Sequence, residues 1–321
     1  MDSRFKDTVA LLLDAIPFVF TQKCFAMKGG TAINLFCRNM PRLSVDIDLV
    51  FTDPAAPNRD EALAEIEGRL RQVAEELEKR LKVKVQRTSS GSDQETKLFV
   101  TRGAWRVKIE VNHVFRGSVY PIVEGSLTQS AEDMFEREVS VPMLDVDELY
   151  ASKLVAALDR QHPRDLFDVM LLNENGGITP LMRRAFVIYL AGHNRPMHEL
   201  LPPQTHDIKE AYEKEFIGMT TRDVSIKELE ETRERLFAEL PSSLDDAERR
   251  FLHSVHRLEP DWDLLGIPNV ESLPAIRWKL MNLEILKSKN PQKFDEMQGA
   301  LEQSLMLGDS WQAHRSPGGI F

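Results

Sequence analysis

Asp46 and Asp48 stand two residues apart in Ser44-Val45-Asp46-Ile47-Asp48-Leu49-Val50-Phe51. On a β-strand, residues i and i+2 share a face, their β-carbons roughly 7 Å apart. Two carboxylates so placed can hold one hard, oxygen-seeking cation between them. Mg²⁺ suits the pair, because it takes one or two carboxylates and completes its shell with water and phosphate oxygens; Mn²⁺ is the alternative ion. Taken alone, Asp-x-Asp more often marks surface acids. Here Val45, Ile47 and Leu49 make the opposite face apolar. A strand that buries one face and presents two acids on the other needs a compensating charge nearby. Ser44 shares the face of Asp46, where it is either a contact to nucleotide or metal shell or an ordinary strand serine.

Lys28-Gly29-Gly30-Thr31 follows the short apolar run Cys24-Phe25-Ala26-Met27 and precedes a helical segment, Ala32 to Arg38. At a strand-to-helix junction, glycines let the backbone approach a phosphate closely, and the helix N-terminus offers free N–H groups. Thr31 adds a hydroxyl and Lys28 a positive charge. The alternative is a tight turn with Thr31 as helix cap. A third acid, Glu110, lies in the alternating segment Trp105-Arg106-Val107-Lys108-Ile109-Glu110-Val111, on the same face as Lys108. A carboxylate from a neighbouring strand can serve as general base on an attacking hydroxyl or bind metal. It can equally form a cross-strand salt bridge.

The elements that must position these residues are legible as periodicity. Phe5 to Phe20 has helical apolar spacing, Ser44 to Phe51 alternates as a strand, and Arg59 to Leu81 is a helix rich in i,i+4 charge pairs. Strands are expected at Val83 to Arg87, Thr96 to Thr101, Trp105 to Val114 and Glu138 to Leu144. Turn residues at 89–93 and 102–103 separate three of them. From Asp145 onward the pattern is helical: 147–160, 164–173, 180–191, 206–217, 225–239, 244–257, 272–286 and 291–304. The composition thus predicts an α+β fold with two domains: a mixed sheet with flanking helices over residues 1–145, then an all-α domain over 146–321. The tail from Gly308 reads as loosely structured, and 52–57 as a loop.

A net charge of −10 argues against a general nucleic-acid coat protein. The charge is uneven, however. Residues 78–116 carry ten Lys/Arg against four acids, net +6, while residues 206–263 carry nine against sixteen, net −7. The first run suits phosphates; the alternative is a pair of ordinary solvated surfaces. Two cysteines, Cys24 and Cys37, make no disulfide framework, and neither a signal peptide nor a membrane span is legible. A reducing, cytoplasmic setting is expected.

Gly30-Thr31, Asp46-Ile47-Asp48 and Glu110 together resemble the nucleotidyltransferase superfamily pattern: glycine-hydroxyl turn, helix, Asp-x-Asp on a strand, later acid. Lys28-Gly29-Gly30-Thr31-Ala32 with Arg42-Leu43-Ser44-Val45-Asp46-Ile47-Asp48-Leu49 is more narrowly similar to the AbiEii/AbiGii toxin family. The resemblance extends to a helical lysine, Lys153, with Arg160, and to Arg164-Asp165-Leu166-Phe167-Asp168. It is weaker at Glu259 to Asp263 and Leu273 to Leu283. It implies a nucleotidyltransferase-like sheet and an NTP substrate. Lys28, Gly29, Gly30, Thr31, Ser44 and Arg160 are then nucleotide-binding, and Asp46, Asp48 and Glu110 are metal-binding and catalytic. Lys153 would neutralise the triphosphate and the leaving pyrophosphate. Of Asp165 and Asp168, one would orient Lys153 or position the acceptor, and the other would pair with Arg160 or Arg164.

The resemblance further implies a bacterial toxin of a type IV toxin–antitoxin, abortive-infection or phage-defence system, with a separately encoded antitoxin. The acceptor it suggests is a hydroxyl at the 3′ end of tRNA, bound through region 78–116, which would block translation. Transfer to a protein hydroxyl, and a non-catalytic binding or regulatory module of the same fold, are the competing expectations.

Overall fold

The computed structural model of the chain describes residues 3–52, 58–88 and 97–306. Residues 53–57 of the expected loop at 52–57, the turn at 89–93 and the tail from 308 fall outside the described residues. The chain forms two compact units: Met1–Lys153 with Lys209–Ser225 and Leu273–Ala275, and Leu154–Ile208 with Ile226–Ser272 and Ile276–Phe321.

The first unit is built on helix α1 (Ser3–Val19), strand β1 (Phe25–Lys28), a turn of helix α2 (Gly29–Thr31) and its π-helical continuation (Ala32–Cys37). Then come β2 (Asp46–Phe51), α3 (Arg59–Leu81), β3 (Lys84–Thr88), β4 (Lys97–Arg102) and β5 (Trp105–Asn112). β6 (Val123–Ser126), α4 (Gln129–Phe135), β7 (Ser140–Met143) and α5 (Val146–Arg160) follow, α5 passing from the first unit into the second after Lys153. The described strands form one mixed sheet in the order β3-β4-β5-β2-β1-β7-β6. β2 runs parallel to β5 and antiparallel to β1.

Alternation divides this sheet into two faces. Ile47 and Leu49 pair with Ile109 and Val111, and Leu98 and Val100 pair with Ile109 and Val107, so their side chains fall on one side. All seven are fully buried. Helix α1 packs on β5 and against α3, whose Ile66, Leu70, Val73 and Leu77 complete this core. Asn58 caps α3, its side chain accepting from the Glu61 N–H at 2.9 Å. The opposite face carries Asp46, Asp48, Lys108 and Glu110. The fold class is therefore the expected α+β one.

In the first unit, β6 and α4 were not legible in the sequence. β6 is a four-residue edge strand, mostly exposed, whose ladder partner is β7; it has no alternation to read. α4 is seven residues long and buries one side chain, Ala131. The acidic stretch expected to be helical from 206 to 217 contains only the short helix α8 (Lys209–Glu215). Its continuation through Ser225 joins the first unit, as backbone bonds Leu43 N→Met219 O (2.7 Å) and Thr221 N→Pro41 O (2.9 Å) show.

The second unit holds α6 (Pro163–Glu174), α7 (Pro180–Ala191), α9 (Ile226–Ser243), α10 (Asp246–His256), α11 (Pro274–Lys289) from Ile276 onward, and α12 (Pro291–Ser304). Phe167, Phe186 and Phe251 are among its fully buried side chains. A capping box starts α10, with Asp245 and Glu248 exchanging hydrogen bonds, and Arg183 holds both acids at 3.2 and 2.6 Å. Both cysteines are free thiols, and burial pushes that of Cys37 up to about 11. Among the described residues, no helix is long and apolar enough to cross a membrane.

Glu148 on α5 is fully buried and accepts the Val119 and Tyr120 N–H groups at 2.9 and 3.0 Å, fixing the loop after β5 to that helix. Glu148→Ala leaves two donors without that acceptor. Urea denaturation is expected to show a loss of about 2 kcal/mol or more.

Candidate active site

The strand registers place the expected residues in rows across the open face of the sheet. Lys28 lies opposite Asp48, Asp48 opposite Glu110, and Glu110 opposite Lys97, a single row spanning β1, β2, β5 and β4. One step along, Asp46 lies opposite Lys108. The row alternates in sign at its ends and has two acids at its centre. Lys108 Nζ bridges Glu110 in this row and Asp46 in the next, at 2.6 and 3.5 Å. Lys97 Nζ is 2.9 Å from Glu110 on the other side.

Asp48 is half-buried. Burial, and then Asp46 beside it, raise its carboxyl above the ordinary carboxylate range, while Lys108, Lys28 and Lys153 pull it back. Those lysines come from three different elements, β5, β1 and α5. Lys153 itself is buried on α5. Its effect on Asp48 is the structural link between the helical lysine and the acid pair.

The glycine turn lies directly against this group. Gly29 has φ +78, and a β-carbon there would fall 2.3 Å from Asp48 Oδ2. Both the backbone angle and the close approach exclude a side chain. Gly30 is tight for a second reason: a β-carbon would fall 2.6 Å from Arg42 Nη2 and 3.1 Å from Ser44 Oγ. The Thr31 and Ser44 hydroxyls meet at 3.0 Å. Thr31 makes no cap bond to the backbone; it joins the turn to the approach of β2.

Two further residues, Asn34 and Arg42, complete the arrangement. Asn34 is fully buried in the π-helical segment. Its Nδ2 donates to Gly30 O at 2.8 Å, and its Oδ1 accepts the Arg42 N–H at 3.3 Å. Arg42 is buried, with Nη1 donating to Leu43 O at 2.9 Å. Asn34 thus ties the glycine turn to the chain entering β2, and Arg42 brings a guanidinium to the turn. Arg42 stood in the quoted motif without a role; Asn34 had no sequence signal at all.

The other expected residues lie in the second unit. Asp165 is buried at the start of α6 and accepts from Arg160 Nη2 at 2.8 Å, so the expected arginine pairing falls to it. Asp168, one turn later, is also buried. Glu110, expected among the metal ligands, is engaged by two lysines. Among the described residues, no cluster of three or more His, Cys, Asp or Glu side chains is arranged to hold an ion. Asp46 and Asp48 remain a fit for Mg²⁺, as two hard oxygen donors on one face, one of them held in an unfavourable, cation-seeking setting.

Residues 11–282 match the model of the AbiEii family, the nucleotidyl transferase toxin of type IV toxin–antitoxin systems. The chain belongs to this family. Among solved structures, it is similar to MenT4, a nucleotidyltransferase toxin from Mycobacterium tuberculosis H37Rv. The TM-score is 0.56 at 20% identity, over 88% of this chain and 95% of that one. No curated protein sequence matches significantly. The AbiEii match spans the sheet, the glycine turn, Lys153 and the α6 acids.

Two outcomes test the geometry of this AbiEii-family site. Gly29→Ala must displace the Asp48 carboxylate or twist the turn. The variant is expected to fold, by circular dichroism, yet to lose most Mg²⁺-induced thermal stabilisation. The second outcome concerns charge. Because folding raises the Asp48 pKa, ionising it costs stability as pH rises from about 4 through the raised value. Asp48→Asn should therefore melt higher than the parent at pH 8 without metal, and the gain should vanish below about pH 4, where both forms are neutral. A lower melting temperature at pH 8 would contradict the assignment of burial as the dominant cause.

Proposed function

We propose that the protein is a Mg²⁺-dependent nucleotidyltransferase toxin that moves a nucleotide from an NTP to a hydroxyl acceptor, the 3′ end of a tRNA, and so blocks translation. The observation that carries the reading is the row of charge on the open sheet face. Two acids needing a cation are flanked by a glycine turn that only a backbone can occupy and by lysines from three elements. Membership of a nucleotidyltransferase toxin family supports the reaction class, and with it an antitoxin partner.

Asp46 and Asp48 would hold the metal, which when bound supplies charge neutralisation for the phosphates. Gly29, Gly30 and Thr31 receive the phosphates through backbone N–H groups, with Ser44 fixing Thr31 and Lys28 adding charge. Lys153 and Arg42 offer cations to the triphosphate and to the departing pyrophosphate. The acceptor oxygen attacks the α-phosphorus. A new P–O bond forms, the bond to the α,β-bridging oxygen breaks, and pyrophosphate leaves. Glu110, on the strand beyond Asp48, takes the hydroxyl proton. Lys108, bridging Glu110 and Asp46, keeps the two carboxylates apart in role and together in space. Arg160, Asp165 and Asp168, expected from the resemblance to serve the reaction, belong to the second unit.

The test is transfer of label from radiolabelled NTPs to total tRNA with Mg²⁺ or Mn²⁺. Asp46→Ala and Lys153→Ala are each expected to lower transfer at least a hundredfold, as loss of a group acting on developing charge does. Label appearing on protein and not on RNA would sink the tRNA acceptor while leaving the nucleotidyltransferase intact. Undiminished toxicity of a folded Asp46→Ala variant would favour a non-catalytic binding module.

A further inference from the structure

The basic run at 78–116 does not form one surface. Arg102 turns to the helix-covered side and pairs with Asp14 at 2.6 Å, Arg116 is buried against the His113 carbonyl, and Arg80 pairs along α3 with Glu76. Alternation leaves four of the run's cations on the face of the acid pair: Lys84 on β3, Lys97 on β4, and Arg106 and Lys108 on β5. In their midst is Phe99, paired in register with Lys108 and therefore in the row that begins at Asp46. Phe99 is half-buried, and the exposed Arg106 guanidinium lies over its ring, 3.8 Å from the centroid.

The position of this pair follows from the chemistry of the proposed reaction. In an in-line displacement the acceptor oxygen approaches opposite the leaving pyrophosphate. The glycine turn that would receive the phosphates follows β1, on one side of β2. The acceptor must then enter from the other side, over β5 and β4. Two strand spacings, roughly 10 Å, separate Asp46 from Phe99 in that direction. An aromatic ring and a guanidinium plane, set among lysines, are the components by which proteins hold unpaired nucleotides: stacking for the base and charge for the backbone.

We propose that Phe99 and Arg106 form a base-stacking subsite for the unpaired 3′-terminal strand of the acceptor RNA. This rests on the transferase reading above and adds to it the place where the acceptor docks. Bases within a duplex are paired and stacked on both faces, so the subsite favours single-stranded ends. Sequence preference should be weak, since every base has a π-face.

Binding without NTP separates the subsite from catalysis. A short fluorescent single-stranded RNA with a free 3′ hydroxyl is titrated against the full chain and followed by anisotropy, with thermal shift by MgATP and MgGTP as the nucleotide control. Phe99→Leu and Arg106→Gln are each expected to weaken RNA binding roughly tenfold, the scale of one lost base stack. Phe99→Trp is expected to keep the affinity, and the nucleotide-induced shift should stay at the parent value in all three. Arg106 is exposed, so its variant reports even where Phe99→Leu proves unstable. Parental RNA affinity in folded Phe99→Leu and Arg106→Gln proteins overturns the subsite, as does failure of the parent protein to bind the RNA. RNA labelled by both variants with an unchanged KM for RNA overturns the subsite alone. Label going only to protein removes the RNA acceptor itself.

Discussion

Two carboxylates two residues apart on one strand repel each other, and burial strengthens the repulsion. Asp46 and Asp48 are held this way, and much of the surrounding structure offsets the cost. Lys28, Lys108 and Lys153 reach the pair from β1, β5 and α5. No single element could deliver three cations around one carboxylate, so the sheet must bring β1 and β5 to either side of β2, and α5 must return to them. The result is a site in which an added divalent cation relieves a standing imbalance rather than creating order from nothing.

The same constraint explains the glycine turn. With Asp48 Oδ2 lying where a Gly29 β-carbon would be, the turn is shaped by the acid as much as by any phosphate. Gly30 is confined by Arg42 and Ser44, and Asn34 joins both sides through two hydrogen bonds. A buried amide satisfied at each end is a rigid link, because breaking either bond strands a polar group. The backbone bonds from Leu43 to the Met219 carbonyl and from Thr221 to the Pro41 carbonyl then anchor the Arg42 segment to a stretch of chain far along the sequence. That stretch belongs to the acidic region, net −7 over residues 206–263.

Lys108 and Glu110 illustrate how a residue carries two descriptions at once. A cross-strand ion pair and a carboxylate near reacting atoms looked like alternatives for Glu110 in the sequence. In the fold the cross-strand pair exists with Lys97 on β4, Lys108 on the same strand is a second partner, and Glu110 still lies in the Asp48 row. Salt bridges of partly exposed groups contribute little stability on their own. Their effect here is positional: they hold a row of charge in register across β4, β5 and β2.

Local pattern alone determined the strand that carries both acids on one face, the long helix α3, the glycine turn before a helix, and the change from mixed to helical structure near residue 145. These depend on periodicity and backbone sterics, which act between near neighbours and so are written in a short window of sequence. The tertiary structure decided what stands beside them. It separated the basic run at 78–116 into cations on the site face and cations committed elsewhere, because alternation sends neighbouring residues to opposite sides of a sheet. It made Asn34 and Arg42 part of the turn and recruited 209–225 to the first unit, through contacts between residues distant in the chain. Spacing could nominate Asp46 and Asp48, but the desolvation and charge that set their chemistry come from the elements packed around them.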